Sequence, residues 1–340
     1  MRARVDVDGG NLALTKDALY VAAYDRCVGL APATGETVRV YDLPGGSSGS
    51  YRWGCVSTDQ STLFGIRAEP LKQPYATELR AKFADPDDDT LRAYIRSNAK
   101  WFPMANYPAW ENYSPAKGSV TDRMMTGDMV FALDPNTGAV RWTYSGKRIA
   151  NLTLSIAGGK VFFAESVVTD ALAEQALDER RTLIRQGVYE QTEEMKRTEG
   201  YESSDTRLVV ALDAQSGKKL WERAVDFTGC CGDAMGSACQ DDVLLFFGCV
   251  GNHDAYRFRE SQLTYRRIVA MSASSGAILW SRPVNYRTRP VIIGERIVIE
   301  PRMCDLRTGQ ILSRIDPISE KEVPWEFLRP GHTCAITSAS

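Results

Sequence analysis

The sequence predicts an all-β fold, a β-propeller of four-stranded blades, and two patterns predict it. One hairpin motif recurs along the chain, with its glycine at positions 35, 138, 217, 276 and 309. A second apolar strand pair with its own Gly or Asp turn follows the copies, as in residues 154–163, 240–247 and 291–299. Each unit therefore holds four short strands, labelled A to D, with A nearest the axis and the glycine turn joining C to D.

Three copies of the motif share one register. They read from Phe131 to Trp142, from Val210 to Trp221, and from Val269 to Trp280, with the tryptophan four residues after the glycine in each. An acidic side chain at the head of the turn can accept bonds from the turn backbone, and the glycine supplies a positive φ. The tryptophan then suits packing between neighbouring sheets. The structural motif residues are Asp134, Gly138, Trp142, Asp213, Gly217, Trp221, Gly276 and Trp280.

Two weaker copies flank these three. The first contains Gly35 and has Arg39 where tryptophan is expected, and the last contains Gly309 and has Ser313 in that place. The sequence thus predicts five blades.

Composition excludes some classes of function. The 340 residues are 44% hydrophobic and 25% charged, with a net charge of −2, so the basic surplus of a nucleic-acid-binding protein is missing. No stretch has the 18 or so consecutive apolar residues of a membrane-spanning helix. The segment from Met1 to Asn11 lacks the apolar centre of a signal peptide, which leaves the compartment open between a cytoplasmic protein and one whose true N-terminus is missing.

The recurring Ala-Leu-Asp-x-x-Thr/Ser-Gly-x-x-x-Trp motif resembles the repeat of the pyrroloquinoline-quinone (PQQ)-like propellers. That family includes quinoprotein alcohol dehydrogenases and the propeller subunit of the bacterial outer-membrane barrel-assembly machinery. Family members usually close with seven or eight blades and are commonly exported or periplasmic. The resemblance implies that this chain, with five predicted blades, is a fragment of a larger ring.

Three insertions interrupt the repeats, at residues 67–127, 167–206 and 252–265. All fall between strands B and C, so we expect them on one face, around the mouth of the central channel. The second insertion predicts a helix from Asp170, as N-cap, to Arg197 with an apolar stripe that includes Val188 and Met195. The insertions either pack as a lid or shape a cleft for a ligand or partner.

A group of cysteines is predicted at the same face. Cys55, the adjacent Cys230 and Cys231, and Cys334 lie at the D–A connection or the start of strand A in three blades, and His332 accompanies the last. Three interpretations stay open. In the first, the cysteines are small buried residues without a shared role. In the second, the thiolates and the imidazole are ligands of a zinc ion. In the third, the group is redox-active, and Cys230 and Cys231 form a strained vicinal disulfide.

The resemblance to quinoprotein alcohol dehydrogenases sharpens the third interpretation. Those enzymes carry a vicinal cysteine pair after a blade tryptophan, stacked on the quinone, and Cys230-Cys231 follows Trp221 here in the corresponding place. Asp233 is displaced by Gly232 from the familiar Cys-Cys-Asp order. The calcium ligands and catalytic aspartate of the family have no confident counterpart, and no Cys-x-x-Cys-His haem motif is present.

Arg287, at the entry to a strand A, either binds an anionic ligand with its guanidinium or forms an ion pair between blades. The sequence favours a non-catalytic binding or scaffold domain that needs no cofactor or metal. Its decorated face would engage a protein, a carbohydrate or a small ligand. The alternative is a dehydrogenase that binds PQQ with calcium and places Cys230-Cys231 over the quinone.

Overall fold

The computed structural model describes residues 11–23, 25–46, 51–68, 126–191, 205–230, 235–248, 267–284, 290–299 and 302–326. The fold is all-β and is built of antiparallel four-stranded blades, as predicted. The chain divides into two compact units. One holds the described residues up to Val167 together with Val210–Leu220, and the other holds Val168–Val209 and the described residues from Trp221 onward.

The strands follow the predicted order. The first blade is β1–β4, the second β5–β8 and the third β9–β12. Their bounds are Leu12–Leu14, Leu19–Ala23, Arg26–Leu30, Thr37–Asp42, Arg52–Thr58, Leu63–Ala68, Thr126–Leu133, Val140–Ala150, Ser155–Ala157, Lys160–Glu165, Thr206–Asp213 and Lys219–Asp226. One residue pair, Glu165 with Ile149, joins β10 to β8, so the second and third blades form one continuous sheet.

The fourth blade is β13–β16, and the fifth has three strands, β17–β19, followed by a two-stranded hairpin, β20–β21. Their bounds are Met235–Gln240, Val243–Gly248, Arg267–Ser272, Ile278–Pro283, Val291–Ile293, Arg296–Ile299, Arg302–Asp305, Ser313–Ile315 and Glu322–Pro324. The one helix of more than a single turn among the described residues is α1, Asp170–Arg185, between β10 and β11. None of the described helices is both long and apolar enough to cross a membrane.

Each signature glycine closes the turn that the sequence predicts. In the second blade the Gly138 amide donates to the Asp134 carbonyl at 2.8 Å, with φ +77° at the glycine. The Asp134 carboxylate accepts from the amides of Asn136 and Thr137. The hydrogen bond from the Arg141 guanidinium is the main cause, and the bonds from these amides are the next, of a pKa of about 2 for Asp134. The carboxylate is therefore charged at neutral pH. Local hydrogen bonding therefore fixes the turn wherever the motif occurs.

An aromatic side chain from the outer strand of one blade covers the turn glycine of the next. A Cβ atom built on Gly217 would lie 2.6 Å from the Trp142 ring, and one on Gly309 would lie 2.7 Å from Trp280. Trp221 covers Gly276 in the same way. The indole nitrogens of the three tryptophans donate to carbonyls of the next blade, at Ala214, Ala273 and Leu306. The tryptophans thus pack between sheets, as the sequence predicts.

The first blade follows this rule with a different residue. Tyr41 lies 3.8 Å from the Cβ position of Gly138 and donates its hydroxyl to the Pro135 carbonyl at 2.6 Å. Arg39, at the position where the motif has tryptophan, donates to the Thr137 carbonyl. The aromatic contact is therefore kept in space although it has moved two residues along the strand.

A sixth copy of the turn is hidden in the sequence because its glycine position is Glu320. The Glu320 amide donates to the Asp316 carbonyl, and the Asp316 carboxylate accepts from the amides of Ile318 and Ser319. Glu320 has φ +55°, the region that favours glycine. This turn closes the β20–β21 hairpin, which extends from the fifth blade. At the base of the hairpin, the Leu312 amide donates to the Met303 carbonyl and the Met303 amide donates to the Trp325 carbonyl.

We expect Glu320→Gly to raise the free energy of unfolding by about 0.5–1 kcal/mol, because glycine relieves the left-handed strain at a modest entropic cost. Urea denaturation measures the change. The control is Lys321→Gly, since Lys321 is the next residue in the turn and has no positive φ. That variant should be neutral or destabilised, and a Glu320→Gly protein no more stable than Lys321→Gly would contradict the strain argument.

Candidate functional site

The structure describes two of the seven predicted channel-mouth residues. Cys55 lies in β5 and is 4% exposed, and Cys230 lies in the connection between β12 and β13 and is 0% exposed. They belong to different compact units. Cys231, Asp233, Arg287, His332 and Cys334 lie outside the described residues. The convergence of these groups at one site therefore stays a prediction.

Cys55 lies where strand β5 meets a single 3-10 turn, Asn151–Thr153. A Cβ atom on the neighbouring Gly54 would lie 2.5 Å from the Asn151 side-chain nitrogen, so only glycine fits there. On the other side of Gly54, Trp53 meets Phe131 edge to face, with ring centroids 4.9 Å apart. The thiol thus sits in a tightly packed strand, the environment of a small buried hydrophobe.

Cys230 is held against the start of β15 in the fourth blade. Its thiol donates to the Arg267 carbonyl at 3.4 Å, and the Arg267 amide donates to the Gly229 carbonyl at 3.0 Å. The Cys230 amide donates to the Phe227 carbonyl at 2.8 Å. These bonds therefore fix residues 227–230, the described part of the D–A connection.

Arg267 is the centre of this region and is 0% exposed. Its guanidinium donates to the carbonyls of Thr228 and Glu190 and to the Ser281 hydroxyl, at 2.9–3.2 Å. It also lies 3.8 Å from the centroid of the Tyr189 ring. A buried cation is costly unless its donors are used, and here they bind oxygen atoms from three separate segments of the chain.

A buried ion pair shares Tyr189 with Arg267. The Asp226 carboxylate accepts from Arg180 of α1 at 2.9 Å, and their side chains are 2% and 13% exposed. It also accepts from the Thr228 amide at 3.1 Å and from the Tyr189 hydroxyl at 3.4 Å. Towards the surface, Arg223 pairs with Glu179 of α1 and Arg282 pairs with Glu190. Four arginines thus attach the second insertion to the blades.

The segment Val188–Glu190, which we call the strap, adds to the outer edge of the fourth blade. The Ser281 amide of β16 donates to the Val188 carbonyl and the Glu190 amide donates to the Ser281 carbonyl, both at 2.8 Å, in a parallel bridge centred on Tyr189. Because β16 is the last strand of its sheet, the strap covers backbone groups that would otherwise form an open edge.

The helix before the strap is shorter than predicted. Its N-cap is Thr169, whose side chain accepts from the Leu172 amide, rather than Asp170. The helix ends at Arg185 instead of Arg197, because Gly187 takes φ +72° and donates to the Ile184 carbonyl, which is a helix-terminating arrangement. Val188, predicted in the apolar stripe of the helix, belongs to the strap. Met195 lies outside the described residues.

Sequence reasoning also missed the residues that build this region, which are Asp226, Arg267, Arg180 and Tyr189. Arg267 stands beside Arg266 at the head of an apolar strand, a position typical of an exposed strand end. Its acceptors come from residues as much as 77 positions away. No local pattern predicts such contacts. An arginine directly before a buried apolar strand is the only signal that the sequence offers.

A metal site and a reactive thiol each make a definite demand on the titratable groups of the chain. Among the residues that the structure describes, no group of three or more His, Cys, Asp and Glu side chains is placed to hold a metal ion. Cys27 in β3 and Cys304 in β19 are 0% and 3% exposed. Burial raises the pKa of the Cys27 thiol to about 12, so it remains protonated and unreactive at neutral pH.

The blades and their signature turns define an all-β protein built of four-stranded repeats. Residues 204–340, which are 137 of the 340 residues, match the family model described as outer membrane protein assembly factor BamB. This part of the chain is therefore similar to that family of PQQ-like repeats. No curated protein matches the chain in sequence.

Several solved structures are similar to the chain. BamB from Moraxella catarrhalis is 11% identical, with a TM-score of 0.38, over 88% of this chain and 61% of its own. The quinohemoprotein alcohol dehydrogenase from Comamonas testosteroni is 12% identical, with a TM-score of 0.41, over 89% and 42%. The quinohemoprotein alcohol dehydrogenase ADHIIG from Pseudomonas putida HK5 is 13% identical, with a TM-score of 0.41, over 94% and 45%. This chain spans less than two thirds of each of them.

Proposed function

We propose that this chain acts as a non-catalytic scaffold that binds a partner protein. The observation that carries the proposal is the complete burial of Cys230. Its thiol is fully buried against the Arg267 carbonyl, and Arg267 in turn is bound by Thr228, Glu190 and Ser281. The described polar groups at this connection are thus engaged in holding blades and insertion together, as a rigid scaffold requires.

The family-model match supports a protein as the partner. The matched model is named for an assembly factor of outer membrane proteins, and the match covers the fourth and fifth blades with the connection around Cys230. An assembly factor works through contacts with other proteins, and insertions on a rigid frame are where such contacts are usually built. A carbohydrate or a small ligand has no comparable support.

The position of Cys230 after Trp221 favours a second candidate, a quinoprotein dehydrogenase. In that case Cys230 and its neighbour would lie over PQQ, and a calcium ion would be needed beside the quinone. The described residues do not fit this group. A sulfur atom with no exposed surface cannot stack on a ligand unless the connection moves, and the residues that the structure describes offer no cluster for a metal ion. The geometry around Cys230 therefore supports binding more than catalysis.

A titration with PQQ and Ca²⁺, followed by absorbance, distinguishes the two candidates. We expect no saturable binding up to high micromolar quinone, because the Cys230 thiol is buried against the Arg267 carbonyl. The matched control is Cys230→Ser/Cys231→Ser, which removes both sulfurs with little change in volume. Stoichiometric binding that weakens in this variant, together with alcohol-dependent reduction of an artificial electron acceptor, would overturn the scaffold proposal.

A further inference from the structure

The strap and residues 227–230, which we call the connection, are bound to the same side chain. The Arg267 guanidinium donates to the Glu190 carbonyl of the strap and to the Thr228 carbonyl of the connection, both at 3.2 Å. The Arg267 backbone amide donates to the Gly229 carbonyl at 3.0 Å, and its carbonyl accepts from the Cys230 thiol at 3.4 Å. One buried residue therefore joins the strap to the connection.

Asp226 makes a second link of the same kind. It is the last residue of β12, and its side chain is 2% exposed. Its carboxylate accepts from the Tyr189 hydroxyl of the strap at 3.4 Å, from Arg180 of α1 at 2.9 Å and from the Thr228 amide of the connection at 3.1 Å. The guanidinium carbons of Arg267 and Arg180 lie 3.8 and 5.5 Å from the centroid of the Tyr189 ring, within the range of a cation–π contact. The Tyr189 side chain thus contacts every charged group of the two links.

The strap itself is held to the fourth blade by few backbone bonds. Its bridge to β16 consists of two, and both are made with Ser281. Each such bond contributes about 0.5–1.5 kcal/mol net. Gly187, directly before the strap, is exposed and has φ +72°, so the chain can pivot there. Edge segments with few backbone bonds open at a lower free energy than the central strands of a sheet.

We propose that the strap is a latch on the connection: the two segments open as one unit, and the Cys230 thiol becomes accessible when Tyr189 leaves its site. Departure of the Tyr189 side chain would strip a buried carboxylate and two guanidinium groups of contacts, which is costly until water reaches them. Opening therefore spreads from the strap to the connection, because Arg267 and Asp226 bind both.

The latch sets a condition on whatever binds at the connection. Any ligand there, a quinone included, would first have to displace the strap. A partner protein that pulls on α1 would act on the same site through Arg180, which pairs with Asp226. The inference rests on these contacts and does not depend on the proposed function, since a scaffold and a dehydrogenase would both contain the latch.

Amide hydrogen exchange at residue resolution tests the coupling in the unaltered 340-residue chain. The amides of Ser281 and Glu190 form the bridge of the strap, and those of Arg267 and Cys230 form bonds within the connection. Where exchange follows the opening equilibrium, these four amides should share one opening free energy, below that of the amides in the central strand β14. Exchange of the Arg267 and Cys230 amides only with global unfolding, while the other two exchange earlier, would overturn the proposal.

Thiol labelling tests access to the connection. Maleimide labelling of Cys230 is measured by peptide mass spectrometry in a Cys231→Ser background, so that its peptide carries one thiol. Cys304, which is 3% exposed in the fifth blade, is the internal reference. Tyr189→Leu loses the hydroxyl and both cation–π contacts, and it should raise the labelling rate of Cys230 about tenfold without changing that of Cys304. Tyr189→Phe keeps the ring and should raise the rate less.

Ile297→Ala is the matched control. Ile297 is 0% exposed in β18 and pairs in register with Cys304, so its truncation should accelerate labelling of Cys304 more than that of Cys230. Equal acceleration of both thiols in Tyr189→Leu would indicate global unfolding and contradict the latch. A Cys230 thiol that reacts as fast with the native Tyr189 as with leucine there would contradict it as well.

Discussion

Arg267→Met is expected to lower the free energy of unfolding by about 3–5 kcal/mol, because three buried oxygen acceptors each lose a donor at about 1–3 kcal/mol, offset in part by relief of the buried charge. Methionine fills much of the same space but donates no hydrogen bonds. The carbonyls of Thr228 and Glu190 and the Ser281 hydroxyl would then lose a donor inside the protein. The stacking contact with Tyr189 would be lost as well. Chemical denaturation followed by tryptophan fluorescence measures the effect.

Arg282→Met is the matched control for this experiment. Arg282 belongs to the same region and pairs with Glu190, but its side chain is 22% exposed and that of Glu190 is 44% exposed. Ion pairs at such exposure contribute about 0–1 kcal/mol. Hydrogen exchange at the amides of Ser281 and Glu190 should accelerate in Arg267→Met and change little in Arg282→Met. An equal loss of unfolding free energy in Arg267→Met and Arg282→Met would show that the buried Arg267 guanidinium does not hold the strap.

Gly217→Ala should be markedly more destabilising than Gly35→Ala, although the two glycines share nearly the same φ, +69° and +72°. In both variants the alanine must adopt the left-handed backbone conformation, which lowers the free energy of unfolding by about 1 kcal/mol. At Gly217 the new methyl group also enters the Trp142 ring, which is held by its bond to the Ala214 carbonyl. Overpacking of this kind lowers the free energy of unfolding by a further 1–3 kcal/mol or so, which is about the range for extra methyl groups in a packed core.

Urea denaturation of the 340-residue chain measures both free energies of unfolding. The difference between the variants isolates the contact between blades from the backbone strain. If Gly217→Ala and Gly35→Ala cost the same, Trp142 yields to the methyl group and the packing argument fails.

The blades could be predicted from the sequence because the hydrogen bonds that form each signature turn join residues close together in the chain. The Asp134 turn is closed by bonds among residues 134–139, so one short motif specifies the hairpin wherever it occurs. The turn at Asp316 makes the same bonds with Glu320 in the left-handed position. A search for glycine does not find it, since the aspartate is the residue that organises the turn.

The candidate site could be predicted only in part. The placement of Cys55 and Cys230 near the start of a first strand follows from counting strands, but their deep burial does not. The strap depends on contacts between Arg267 and Glu190, far apart in the sequence, and on Gly187 ending a helix whose apolar spacing continues beyond it. Long-range pairing of this kind leaves no periodic signal.

The strap has a consequence for how this chain can vary during evolution. An insertion that arises in the third repeat obtains part of its hydrogen bonding from the fourth, through Ser281 and Arg267. Loss of the fourth repeat alone would therefore remove the support of a segment encoded by its neighbour. The two repeats are expected to be inherited as a pair, so that shuffling of single repeats, common in modular proteins, is restricted at this junction.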